Sequence, residues 1–203
     1  NGTGIFRLAA RLYSEDGYDV HPFGQDEQVQ PGNIQNPDPR AGSGLAYDEA
    51  RAAVNLRNVE NVVVMGFSWG GGATFYLMRR LELAAAGRLP GENLQRPLGV
   101  PFTAYIDTIQ HGQDGRRREF PWLPPAETRR PALSQFHVTY YQQADQGIFV
   151  QIRGAPTVGA DLNRDVNNPA IDPPRTLVHT DIDDSDQVLG GVRRDFMNRQ
   201  VRR

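Results

Sequence analysis

The sequence predicts an α/β protein with a mostly parallel central sheet flanked by helices. Apolar runs rich in β-branched residues alternate with segments of helical periodicity, the order expected of strands joined by crossover helices. One run, Asn61-Val62-Val63-Val64-Met65-Gly66, is apolar without alternation, as in a strand buried on both faces. At 203 residues the chain can enclose one proper core, so a single domain over 1–203 is the simplest division.

Each element can be justified in order. Asn1-Gly2-Thr3-Gly4 is a glycine-rich turn opening onto Ile5, Phe6, Leu8, Ala9, Leu12 and Tyr13, whose spacing predicts an amphipathic helix ending near Asp16-Gly17. Residues 18–23 read as a short strand, and 24–44, rich in Pro, Gly, Asn and Gln, as a long loop. A second helix is expected over 47–56, the buried strand over 61–66, and a third helix over 71–86, with a break at Pro90-Gly91. Residues 100–106 form another apolar run, ending at Asp107. An Arg- and Pro-rich loop over 111–135 carries Phe120, Trp122 and Leu123. Strands are expected at 136–141, 148–152 and 176–178, with 154–174 as loop, and Asp184 can cap a last helix running to about residue 199.

Composition removes several function classes. Hydrophobic residues at 38% and charged residues at 23% describe a globular chain rather than a disordered one. A net charge of −2 provides no field to recruit nucleic acid or an acidic membrane. No apolar run approaches the roughly 20 residues of a membrane span. There is no cysteine, and all 22 basic residues are arginine. Disulfides, thiol nucleophiles, Schiff-base lysines and the P-loop lysine are therefore excluded, and no cofactor motif stands out. The chain opens at Asn1 without a start methionine or signal segment, which reads as a processed or truncated N-terminus. Cytoplasmic and secreted locations both stay open, as does the oligomeric state.

The strongest chemical signal is Gly66-Phe67-Ser68-Trp69-Gly70, a G-x-S-x-G between a Val-rich strand and a glycine-opened helix. A sharp strand-to-helix turn forces the serine into a strained conformation and holds its hydroxyl clear of the sheet. Small residues are expected on both sides, where side chains would strike neighbouring backbone. The turn also aims the N-terminus of the helix, with its partial positive charge, at the serine.

A serine needs a base near neutral pH, and four histidines are available. His21 precedes the serine, whereas the base comes last in the chain order of such turns. His111 follows Asp107 too closely to sit across the site, and His137 opens a strand, where a structural role is the simpler reading. His179, near the C-terminus and directly before the last helix, is the candidate base. Asp107, at the end of the strand after the serine's helix, is the candidate acid, with Asp145 as runner-up. For the oxyanion hole, the amide of Trp69 is one donor. Thr3 or Gly4 in the N-terminal glycine-rich turn is the other.

With these residues in place, the sequence resembles the α/β-hydrolase superfamily, and within it the lipase- and thioesterase-like members. More narrowly it is similar to a poorly characterised group of bacterial proteins. The resemblance rests on the serine turn with Gly71-Gly72-Ala73-Thr74, and on Ala104-Tyr105-Ile106-Asp107. It rests also on His137-Val138-Thr139-Tyr140-Tyr141-Gln142 and His179-Thr180-Asp181-Ile182-Asp183. It implies an α/β-hydrolase fold, minimal or N-terminally incomplete because the early strands and a His-Gly oxyanion signature are missing, and a Ser68–Asp107–His179 triad.

Three weaker patterns have bland explanations. Asp161, Asn163, Asp165, Asn167 and Asp172 approximate the spacing of a calcium loop, but Val166 replaces the central glycine and no helix pair flanks it. A polar loop is the better reading, and no metal is expected. The acidic cluster Asp181, Asp183, Asp184 and Asp186 suits the N-terminus of the last helix. Arg116-Arg117-Arg118 is a solvated loop. The 111–135 loop is a candidate cap in which Phe120 and Trp122, with Phe67, contact the substrate, or equally an ordered surface loop packing on the core.

The expected activity is hydrolysis of a carboxylic ester, small or lipidic, through an acyl-enzyme on Ser68. Acyl transfer or thioester cleavage with the same triad is the alternative, as is an inactive binding protein on the same fold.

Overall fold

The computed structural model describes residues 3–24, 44–108, 129–144, 154–168 and 176–199. Among these residues four strands, β1 (Val64–Phe67), β2 (Thr103–Ile106), β3 (His137–Tyr141) and β4 (Leu162–Asp165), form one parallel sheet in the order β1-β2-β3-β4. Among the described residues the helices are α1 (Thr3–Ser14), α2 (Leu45–Arg57), α3 (Trp69–Ala85), the short α4 (His179–Ile182) and α5 (Asp186–Asn198). The architecture is therefore α/β, with a parallel sheet and flanking helices.

The central strands of this parallel sheet are apolar because both faces are covered. Every residue of β2 is buried. On one face Ala104, Ile106, Val138 and Tyr140 pack with Leu8 and Leu12 of α1 and Val188, Leu189, Val192 and Phe196 of α5. On the other, Leu77, Met78, Leu81 and Ala84 of α3 pack with Ala46 and Tyr47 of α2. The α1 face is narrower than its spacing suggested, since Phe6 and Tyr13 are 50% and 66% exposed. Gly17, at φ 69°, turns the chain out of α1 where the sequence placed the stop.

Several expected elements differ. The 61–66 strand starts at Val64, although Asn61 bridges Gly99 and Val62 N–H donates to the Gly99 carbonyl, extending the pairing upstream. Residues 18–23 are not a strand: Tyr18, Val20 and Phe23 are half-buried, but no described strand pairs with them. The expected 154–174 loop contains β4, whose polar Asn163 and Arg164 hid an edge strand from a search for apolar alternation. Residues 176–178 are not a strand and pair with none among the described residues. The Asn167 side chain takes that place, accepting from Leu177 N–H at 2.7 Å and donating to its carbonyl at 2.8 Å. The last helix is capped by Ser185, not Asp184, with Ser185 Oγ accepting from Val188 N–H at 3.4 Å. The expected 148–152 strand lies outside the described residues, as do most of the 24–44 and 111–135 loops.

Charged pairs lock α5 in place. Asp195, buried at the sheet, accepts from Tyr140 Oη at 2.8 Å and from Arg164 Nε and Nη2 at 3.0 and 2.9 Å. Gly191 leaves room for the Tyr140 ring, since a Cβ there would stand 2.7 Å from its hydroxyl. Arg193 holds Asp16 with two bonds at 2.8 and 2.7 Å, and Arg7 and Arg11 reach Asp186, so α5 is tied to the body of α1 and to the turn that follows it. Asp195→Ala leaves a phenol and a guanidinium without their shared acceptor. It should lower unfolding free energy by about 3 kcal/mol in urea titrations.

Candidate active site

β1 ends at Phe67 and β2 at Ile106, and these two residues are register partners. Ser68 and Asp107 follow them at the carboxyl edge of the sheet, where open parallel sheets hold their sites. Both leave the strand with positive φ, 55° at Ser68 and 46° at Asp107. Besides Asn58, which caps α2, they are the only described non-glycine residues in that region. Strain of this kind costs about 1–3 kcal/mol per residue and persists where the surroundings enforce it. Here they do: Ser68 N–H donates to the Ile106 carbonyl at 2.9 Å and Asp107 N–H to that of Tyr140 at 2.6 Å.

The glycines divide unequally. A Cβ at Gly66 would stand 2.4 Å from both the Gly70 carbonyl oxygen and Thr74 Oγ1, so glycine is required there. Gly70, expected to be equally crowded, faces open space, and the second tight position is Gly71, against the Thr108 side chain.

His179 arrives from the other end of the chain as the first residue of α4. Its Nε2 lies 2.8 Å from Ser68 Oγ, and its Nδ1 2.6 Å from Asp107 Oδ2. Asp107 is fully buried and His179 nearly so. The Phe67 ring, expected to contact substrate, stacks on the imidazole at 5.3 Å between centroids and 18° between planes. That contact restrains the ring of His179 and shields it from water.

Two residues that sequence reasoning did not assign hold the acid. Gln142, the first residue past β3 and fully buried, donates from its backbone N–H to Asp107 Oδ1 at 3.1 Å and from Nε2 to Oδ2 at 3.2 Å. Gly154 lies against the same carboxylate: a Cβ there would be 2.0 Å from Asp107 Oδ1. The available signal was positional, since Gln142 follows β3 as Ser68 follows β1 and Asp107 follows β2. Gly154 carried none, its role depending on a contact 47 residues back along the chain.

Trp69 opens α3, so its amide belongs to the unpaired first turn of that helix beside Ser68. Thr3 opens α1, and its neighbour Gly4 packs on the backbone of Asp183, just after α4. Phe120, Trp122, Leu123, His111 and the runner-up acid Asp145 lie outside the described residues. His21 is partly exposed and bonded to Asp19 at 2.9 Å, far from this arrangement in its contacts.

His137 has the structural role its position suggested. It is fully buried, with Nδ1 2.7 Å from Thr103 Oγ1 and Nε2 3.3 Å from Thr139 Oγ1. Desolvation, reinforced by Arg130 and opposed by Asp161, pushes its pKa down to about 3. The calcium-like oxygens are engaged by the protein itself. Asp161 accepts from His137 N–H at 2.8 Å and pairs with Arg130, Asn163 brackets Thr157 N–H and carbonyl, and Asp165 accepts from Asn167 N–H. Asp172 lies outside the described residues. In the acidic cluster Asp186 binds Arg7 and Arg11 from α1, while Asp183 is buried, which raises its pKa.

A hydroxyl bonded to an imidazole that is in turn bonded to a buried carboxylate can move a proton from oxygen to nitrogen as the oxygen attacks an electrophile. The class defined so far is an α/β protein with this chain at the edge of a parallel sheet. Among known proteins, no family model matches the chain, and no curated protein or solved structure is significantly similar to it.

Burial of neutral His137 gives a test of the structure in acid. Its folded pKa lies below the 6.5 of an unperturbed histidine, so protons favour the unfolded chain as pH falls below that value. The stability it contributes is present above pH 6.5 and is lost progressively toward about 3. By pH 5 the loss should reach about 2 kcal/mol relative to neutral pH. Urea titrations across that range should show this slope in the parent and its absence in His137→Asn.

Proposed function

We propose that the protein is a serine hydrolase of the α/β-hydrolase type that cleaves carboxylic esters through an acyl-enzyme on Ser68. The observation carrying this reading is the unbroken chain Ser68 Oγ–His179 Nε2, His179 Nδ1–Asp107 Oδ2, at 2.8 and 2.6 Å. Supporting it are the positive φ of Ser68 and the burial of the acid.

In this mechanism Ser68 Oγ attacks the ester carbonyl while its proton passes to His179 Nε2. Asp107 accepts the Nδ1–H bond throughout, fixing the tautomer and stabilising the imidazolium without itself taking the proton. The carbonyl oxygen gains negative charge, which the Trp69 amide and the Thr3 amide stabilise, aided by the positive end of α3. His179 then returns the proton to the departing alkoxide, giving alcohol and acyl-Ser68. Water, deprotonated by the same imidazole, releases the acid and restores Ser68. The substrate is a small-molecule or lipidic ester.

A fluorophosphonate probe should label Ser68 in folded protein, and mass spectrometry of the peptide locates the adduct. Ser68→Ala should abolish labelling and p-nitrophenyl ester turnover with an unchanged circular dichroism spectrum. Asp107→Asn should lower kcat on the order of 10⁴-fold while the fold persists. Equal turnover by parent and Ser68→Ala would refute the mechanism.

A further inference from the structure

His179 reaches Ser68 and Asp107 from α4, a single helical turn in which the N–H groups of Asp181 and Ile182 donate to the Val178 carbonyl at 2.9 and 3.1 Å. The imidazole meets Ser68 Oγ through Nε2 at 2.8 Å and Asp107 Oδ2 through Nδ1 at 2.6 Å. Both contacts lie at the edge of the ring. They fix where each nitrogen points and leave one soft motion, the tilt of the ring about the line joining its two partners. The side-chain torsion that governs this tilt in histidine is broad, with no sharp staggered well to hold it.

Phe67 acts on the face of the ring. The two rings lie 5.3 Å apart between centroids and 18° apart between planes, an offset stack of ordinary geometry. The lower partner of this stack is rigid. Phe67 is the last residue of β1, stands in register with Ile106, and packs against the core that holds Leu8 of α1 and Leu189 of α5. It also directly precedes Ser68, whose N–H donates to the Ile106 carbonyl at 2.9 Å, so platform and nucleophile share one stretch of fixed backbone. A flat face resists tilt but lets the imidazole slide in its own plane. In acyl transfer Nε2 takes a proton from Ser68 Oγ and gives it to a leaving oxygen at a different position. In-plane movement serves that sequence, and tilt breaks it.

We propose that Phe67 is a positioning residue for His179, a rigid aromatic platform that keeps the imidazole plane aligned with Ser68 and Asp107 and so sets the rate of proton transfer rather than the affinity for substrate. The role requires an aromatic face, which an aliphatic side chain of similar bulk does not offer. The kinetic part of this inference rests on the hydrolase reading above; the restraint on the imidazole does not.

Phe67→Leu removes the flat face and keeps an apolar side chain, whereas Phe67→Tyr keeps the face. Three measurements compare both with the parent: steady-state kinetics on p-nitrophenyl acetate, the rate of Ser68 labelling by a fluorophosphonate, and NMR exchange of the His179 Nδ1 proton with water. Phe67→Leu should lower kcat and the labelling rate together, by about 10-fold to 100-fold, with KM unchanged. Its Nδ1 proton should exchange faster. Phe67→Tyr should match the parent in all three. A raised KM at unchanged kcat would make Phe67 a substrate contact, and equal losses in both variants would make its role one of packing. Either result overturns the proposal, as does parental behaviour of Phe67→Leu in the kinetics or in the exchange. If a variant does not fold by circular dichroism, Phe67→Met stands in for the Leu variant and Phe67→Trp for the Tyr variant, with the same criteria. If the parent neither turns over ester nor labels at Ser68, the hydrolase reading fails and proton exchange alone decides. Faster exchange in Phe67→Leu with parental exchange in Phe67→Tyr then upholds the platform, and any other pattern overturns it.

Discussion

The parallel pairing of β1 with β2 stops both strands at one level, with Phe67 opposite Ile106, so that Ser68 and Asp107 leave the sheet side by side. All other features of the site are referred to that level. β3 stands in the same register on the far side of β2, with Tyr140 opposite Ile106, which brings Gln142 to the Asp107 carboxylate. α4 then has only to deliver one imidazole into the gap between two fixed groups. Moving one strand by a residue would break the arrangement and turn its side chains to the wrong face.

The positive φ at both residues is a cost, and the structure offsets it with short backbone bonds and with glycines that yield space. Gly66 lets the start of α3 close over the end of β1, and Gly71 lets Thr108 lie against that helix. Gly154 lets the chain beyond β3 lie on the acid. Each is a close approach between chain segments that only a missing Cβ permits. The strained serine and aspartate are thereby over-determined, which keeps their side chains from relaxing into ordinary turn geometry.

Elsewhere side-chain amides and carboxylates stand in for backbone pairing. Asn167 bonds Leu177 as a neighbouring strand would, and Asn163 does the same for Thr157. Asp161 caps the start of β3. This substitution explains why the second half of the chain was harder to read. β4 is held by polar residues whose spacing resembles a loop or an ion site, and 176–178 joins no ladder among the described residues. Hydrophobic periodicity is silent in such segments, because the partner is a side chain distant in sequence. The reverse holds at 18–23, where alternation resembles a strand but no described strand pairs with it.

What the sequence determined by itself was local. The Val-rich run, the glycine-flanked serine and the helical spacing of Leu8, Leu12 and the α3 residues are short-range patterns, and burial and steric exclusion act on them within a turn or a strand. The candidate triad was also legible, because chain order and strand ends are one-dimensional facts. Tertiary structure alone decided which glycine is crowded: Gly66 and Gly70 look alike in sequence, but only the first meets the opening of α3, at Gly70 and Thr74, while Gly71 meets Thr108. It alone set Phe67 on the imidazole and Gln142 and Gly154 on the acid, and left Asp183 buried at the start of α1. These depend on packing between elements far apart in sequence, and a linear pattern does not specify which surfaces meet.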